Sequence, residues 1–276
     1  MLRTSCLILT FCLAAPAAGQ EFEVASIKPN ASGSDMVRLD FHGGRLTAEN
    51  VSLRMLVMRA FKAKDFEISG GPSWMNSDRF DIAATAAASD GGEDLFRLLL
   101  RSLLESRFKL VTHRATREMA VYALTPVRKG SKLPEATAAC VPFDPHAPPP
   151  QAAPGQAPPM LCGGFMMDGT HLEGRKISMA QFVAALSNML GRSVTDRTEY
   201  DGTFDIHLEF AAEGVAGLSG GGFSAPRALA MNASDPDSAK QTIFTAIQRQ
   251  LGLRLQSRKA PVGILVIDRA EKPGAN

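Results

Sequence analysis

Four groups of residues have types and spacing that chemistry could use. Gly217-Leu218-Ser219-Gly220-Gly221 matches G-x-S-x-G, the turn that exposes a nucleophilic serine between a strand and a helix. The flanking residues supply neither element, and the last histidine, His207, precedes Ser219, whereas the usual hydrolase order needs one after it. Gly220 to Ala225 fits G-x-G-x-x-A, but Pro226 follows at once and no strand leads in, so a dinucleotide cradle is not expected. Ser106-Arg107-Phe108-Lys109 fits S-x-x-K, in which a serine opening a helix is activated by a lysine one turn later. Here Ser106 falls at the end of a helical pattern and no K-T-G accompanies it. Asp205, His207 and Glu209 recur at i, i+2 and i+4, a spacing that could place two ligands on a metal if they share a strand face. The corresponding residues earlier in the chain, Asp81, Ala83 and Thr85, could not, so a solvated polar face is the reading preferred. No catalytic, cofactor-binding or metal-ligating residue is therefore assigned.

The elements that would position these groups come in two similar sets. In the later set, Ser178 caps a helical pattern of Met179, Phe182, Val183, Leu186 and Leu190 that Gly191 closes. Thr203 to Phe210 then alternates as a strand, a second helix ends at Leu251-Gly252, and Leu253 to Ile267 reads as a hairpin turning near Pro261. In the earlier set, Ser52 caps Leu53, Leu56, Val57, Ala60 and Phe61, and Phe80-Asp81-Ile82 stands where Phe204-Asp205-Ile206 does later. Leu95 to Phe108 is the second helix, and Lys109 to His113 with Met119 to Val127 reads as a hairpin turning at Ala115 to Arg117. The expectation is an α+β chain of two tandem β-α-β-α-β-β sandwich units, residues 20–139 and 163–276. Both helices of each unit cover one sheet face. Eight of the eighteen residues from Pro142 to Pro159 are proline, so residues 140–162 read as a semi-extended linker. Glu213 to Asp237 is a Gly, Ala and Ser-rich insertion inside the later unit. Trp74, the only tryptophan, reads as an anchor for the turn Gly70 to Ser73.

Arg3, the apolar run Cys6 to Ala18 and the small residues Ala17-Ala18-Gly19 form a secretory signal peptide over residues 1–19. No later apolar run approaches the roughly 20 residues of a membrane helix, so no membrane insertion of the mature chain is expected. Cleavage leaves 29 basic against 28 acidic residues, a balance that gives no argument for nucleic acid. Cys6 and Cys12 leave with the signal peptide. Cys140 and Cys162 remain, in an oxidising compartment that favours their pairing.

Arg107-Phe108-Lys109-Leu110 with His113, Tyr200-Asp201-Gly202-Thr203-Phe204-Asp205, and Gln250-Leu251-Gly252-Leu253-Arg254-Leu255 with Val266-Ile267-Asp268 resemble the uncharacterised soil-associated family of exported bacterial proteins. The likeness covers nearly the whole mature chain. Some members of that family are similar in carrying this region behind a membrane-bound antibiotic-sensor type of peptidase. Leu251-Gly252-Leu253 and Ile264-Leu265-Val266-Ile267 resemble the short N-terminal domain of secretins and TonB-dependent receptors, a small αβ sandwich used for protein contacts. The expected function is an exported, periplasmic or extracellular, non-catalytic binding or protein-interaction module. Its partner would be a protein or cell-envelope polymer, with no cofactor. A sensor-associated domain and an undetected hydrolase are the alternatives.

Overall fold

A computed structural model describes residues 21–87, 91–128, 133–142, 144, 159–167, 170–211 and 242–274. The expected signal peptide over residues 1–19, Ser219 with the expected insertion around it, and most of the expected linker over residues 140–162 lie outside these residues.

The chain is α+β. In order, β1 (Phe22–Pro29), β2 (Arg38–His42) and β3 (Arg45–Ser52) lead into α1 (Leu53–Phe61), β4 (Ile68–Gly70), the short α2 (Trp74–Ser77) and β5 (Arg79–Ala86). Then come α3 (Gly92–Arg107), β6 (Val111–Pro126), β7 (Phe165–Met167), β8 (His171–Ser178), α4 (Met179–Leu190), β9 (Val194–Asp196), β10 (Thr203–Glu209), α5 (Ile243–Leu251) and β11 (Leu253–Arg269). Two compact units form. Among the described residues, one draws on 21–63, 70–112 and 267–274, the other on 64–69 and 113–266.

The first unit is built on a four-stranded sheet ordered β1-β5-β3-β2, antiparallel throughout. Alternation along β5 sends Phe80, Ile82, Ala84 and Ala86 inward, as its period of two requires. Leu53, Leu56, Val57 and Ala60 of α1, and Leu95, Phe96, Leu99, Leu100, Leu103 and Leu104 of α3, are buried, so each helix hides one apolar stripe. Trp74 lies in α2 rather than in a loop, its ring edge-on to Phe80 at 6.3 Å.

The second unit packs the sheet β10-β8-β7 against α4 and α5. Phe182, Phe204, Leu208, Phe210 and Ile247 are fully buried there, and the rings of Phe182 and Phe204 meet edge to face at 5.8 Å. A further sheet, ordered β4-β11-β6-β9, falls mostly in this unit.

Two expected hairpins are absent. β6 runs unbroken from Val111 to Pro126, through the expected turn at Ala115 to Arg117, and β11 runs unbroken from Leu253 to Arg269, through Pro261. Neither point carries a residue with positive φ, which the favoured tight hairpin turns require. Proline fixes φ at a value an extended chain tolerates and removes one donor without reversing the strand. The two long strands are neighbours in one sheet, so Met119 to Val127 and Val262 to Asp268 are parts of strands and not hairpins closing each half.

Cys140 and Cys162 form a disulfide, Cα to Cα 5.0 Å, at a parallel bridge between Val141 and Leu161. Closing a loop with a sequence separation of 22 is expected to stabilise the chain by about 3 kcal/mol. Denaturant unfolding with and without reductant measures this as a lower midpoint for the reduced protein.

Candidate functional site

The residues first considered for chemistry are dispersed or already engaged. Ser106 lies in the last turn of α3 and its hydroxyl donates to the Leu103 carbonyl at 3.3 Å. Lys109 follows the helix in the left-handed region at φ 49°. Together they end a helix, and the S-x-x-K arrangement of a serine at a helix start is not formed. His207 and Glu209 are exposed on β10, with His207 Nε2 3.4 Å and His171 Nε2 3.9 Å from the same Glu209 oxygen. Among the described residues, no group of three or more His, Cys, Asp or Glu is arranged to hold a metal ion.

Asp205 shares that face but is half-buried, and its carboxylate is engaged. Its two carboxylate oxygens accept the backbone N–H of Lys176 at 2.9 Å and of Ala138 at 2.7 Å. Lys176 sits in the left-handed region at φ 47°, two residues before Ser178, the N-cap of α4. The β8 to β10 register slips at this point. The carboxylate thus holds a bulge that aims the strand into the helix, and the Ser178 hydroxyl then accepts from Gln181 N. The first unit contains the same device. Asp81 accepts Asn50 N at 2.9 Å, Asn50 has φ 55°, and Ser52, two residues on, caps α1 by accepting from Met55 N. Asn30 Nδ2 also donates to Asp81, at 2.7 Å. Sequence reading missed both roles. The signal was the recurrence of aspartate between two buried apolar residues, Phe80-Asp81-Ile82 and Phe204-Asp205-Ile206, each following a capping serine.

Burial opposes ionisation of Asp205, but donation from Lys176, Ala138 and Thr137 and the nearby Arg175 guanidinium outweigh it and hold the carboxyl below its ordinary range. A depressed folded-state value means stability that is fully present above the unfolded value of about 4 and lost as the pH falls through the folded one. Between pH 5 and 2, the chain is therefore expected to lose stability more steeply than its Asp205→Asn variant, which cannot titrate there; denaturant midpoints across that range measure it.

The first unit holds a groove of about 620 Å³ lined by Leu39, Asp40, Phe41, His42 and Gly43 of the β2 edge and its turn, Arg59 of α1, and Gly92, Glu93 and Phe96 at the start of α3. β2 ends its sheet, paired in register with β3 over all five residues. Phe41 stacks on Phe96 at 4.9 Å, and Phe22 meets Phe41 edge-on at 6.5 Å, which fixes the apolar wall. The Arg59 guanidinium lies 5.8 Å over the Phe96 ring and bonds Glu93 at 3.0 Å. Such a lining can hold a ligand by backbone pairing, apolar contact and charge together.

The fold and groove define an α+β protein with a strand-edged cleft. The chain belongs to a family described as a protein of unknown function, DUF3738, which it matches over residues 54–270. No curated protein and no solved structure matches it.

Proposed function

We propose that the chain is an exported, non-catalytic binding module whose partner is a protein or cell-envelope polymer held in the groove between β2, α1 and α3. The groove carries the reading: a sheet edge, a stacked aromatic wall and an Arg59–Glu93 pair converge there. The disulfide suits an oxidising compartment. No described helix is long and apolar enough to cross a membrane. We further infer that residues 44–127 and 171–269 are copies of one αβ unit. Support for this comes from the shared sequence of left-handed bulge residue, capping serine and bracing aspartate in Asn50, Ser52 and Asp81 and in Lys176, Ser178 and Asp205.

Purified protein offered simple ester, amide and glycoside substrates is expected to turn none over, while it captures one component of a cell-envelope extract saturably. Reversing charge by Arg59→Glu should weaken that capture at least tenfold. Steady turnover that disappears when a single polar residue is changed, in a variant that still folds, overturns the binding module in favour of a hydrolase.

A further inference from the structure

We infer that the second unit binds an apolar carboxylate, its hydrocarbon group seated in a pocket beside β6 and its carboxylate held by Arg192. The site lies apart from the groove and does not rest on that reading. The pocket has a volume of about 180 Å³ and draws on three parts of the second unit: the turn Asp65–Glu67, the neighbouring strands β6 and β11, and the residues that follow α4. Phe66, Met119, Ala120 and Val262 supply its apolar wall. A cavity of roughly 150 Å³ holds a benzene ring, so the space suits one aromatic or branched aliphatic group. Ala120 and Gly191, both exposed, leave the mouth open to solvent.

Among the described residues, Arg192 is the one charged side chain in the lining. Its guanidinium lies 4.9 Å over the Tyr122 ring, and Tyr122 is itself held edge-on to Phe244 at 5.3 Å and by its N–H donating to the Ser193 carbonyl at 2.8 Å. Stacking engages the flat face of a guanidinium and leaves its in-plane N–H donors free. No acceptor among the described residues meets those donors, although Arg192 is half-buried. A planar fork oriented in this way matches a carboxylate by two parallel bonds.

The charges nearby leave that fork uncompensated. Glu67, beside Phe66, accepts Lys64 N at 2.9 Å and attracts the Lys64 amine, which lies 5.8 Å over the Phe66 ring. Asp65 has a partner of its own. Asp196 of β9 accepts the Thr198 N–H at 2.8 Å and its hydroxyl at 2.7 Å. Alternation along β6 puts Glu118 on the face away from Met119 and Arg117 on the same face as Met119, which adds positive charge beside the pocket.

The test uses the full chain and four probes: N-acetylphenylalanine, its primary amide, an N-acetylated alanine tripeptide extended by a C-terminal phenylalanine, and the same peptide ending in glycine. Binding is read from backbone amide shifts. The phenylalanine peptide is expected to saturate with shifts centred on residues 119–120, 191–193 and 262, while the amide and the glycine peptide bind about tenfold more weakly or not at all. Equal saturation by N-acetylphenylalanine supports a free acid as the ligand, and saturation by the peptide alone supports a chain terminus. Arg192→Gln should abolish the preference for acid over amide and Arg192→Lys should keep part of it, each variant being checked for native circular dichroism. Equal binding of acid and amide, shifts elsewhere, a preference that survives in Arg192→Gln, or saturation by none of the probes overturns the assignment. None of these outcomes alters the Arg59-dependent capture expected of the groove.

Discussion

Replacing Asp205 by alanine is expected to lower stability by about 4 kcal/mol, and Asp81→Ala by a similar amount. Asp205 accepts from Lys176 N and Ala138 N, with Thr137 N a further donor, and Asp81 accepts from Asn50 N and Asn30 Nδ2. Hydrogen bonds to a charged acceptor contribute about 2 kcal/mol each, and their loss leaves a backbone N–H stranded at a bulge. The loss also frees residues held at φ 47° and 55°, a conformation that non-glycine residues rarely adopt. Asp205→Asn, which keeps one acceptor oxygen, should fall between wild type and alanine. Chemical denaturation measures the series. An alanine variant within about 0.5 kcal/mol of wild type would return Asp205 to the solvated face that its spacing with His207 and Glu209 suggested.

Phe204→Ala is expected to cost about 4 kcal/mol, in the middle of the range for removing a buried aromatic ring. Phe204 is fully buried and meets Phe182 at 5.8 Å and Tyr200 at 5.7 Å, both edge to face. Its strand is clamped on both sides, by β8 and by an antiparallel bridge to Glu135, so the surrounding wall has little freedom to collapse into the space left. Phe204→Leu, which keeps most of the volume, should cost about half as much. Equal losses for the two variants would mean that the site relaxes around the missing ring.

Local chemistry explains which parts of this fold were legible in the sequence. Ser52 and Ser178 read correctly as N-caps because one hydroxyl decides whether a first-turn amide is satisfied. The strand at Thr203 was equally plain, since Phe204, Ile206 and Leu208 are buried and the residues between them are not. β6 and β11 were misread as hairpins because a polar interruption in an alternating run resembles a turn, while what ends a strand is a backbone that must reverse. Nothing at Thr116 or Ala260 forces that. Asp81 and Asp205 looked solvated because their partners are backbone amides 31 and 29 residues away, which no spacing rule reveals. The groove was hidden for the same reason: β2, Arg59 and Glu93 come together only through the sheet order and the packing of α1 and α3.

The binding-module account is tested most directly by hydrogen exchange on the full chain, free and saturated with the envelope component it captures. Slower exchange confined to Leu39–Gly43, the turn of α1 around Arg59 and the start of α3 at Gly92–Phe96 is the predicted result. Protection centred instead on His171, His207 and Glu209 of β8 and β10, with the groove exchanging at its free rate, would contradict it.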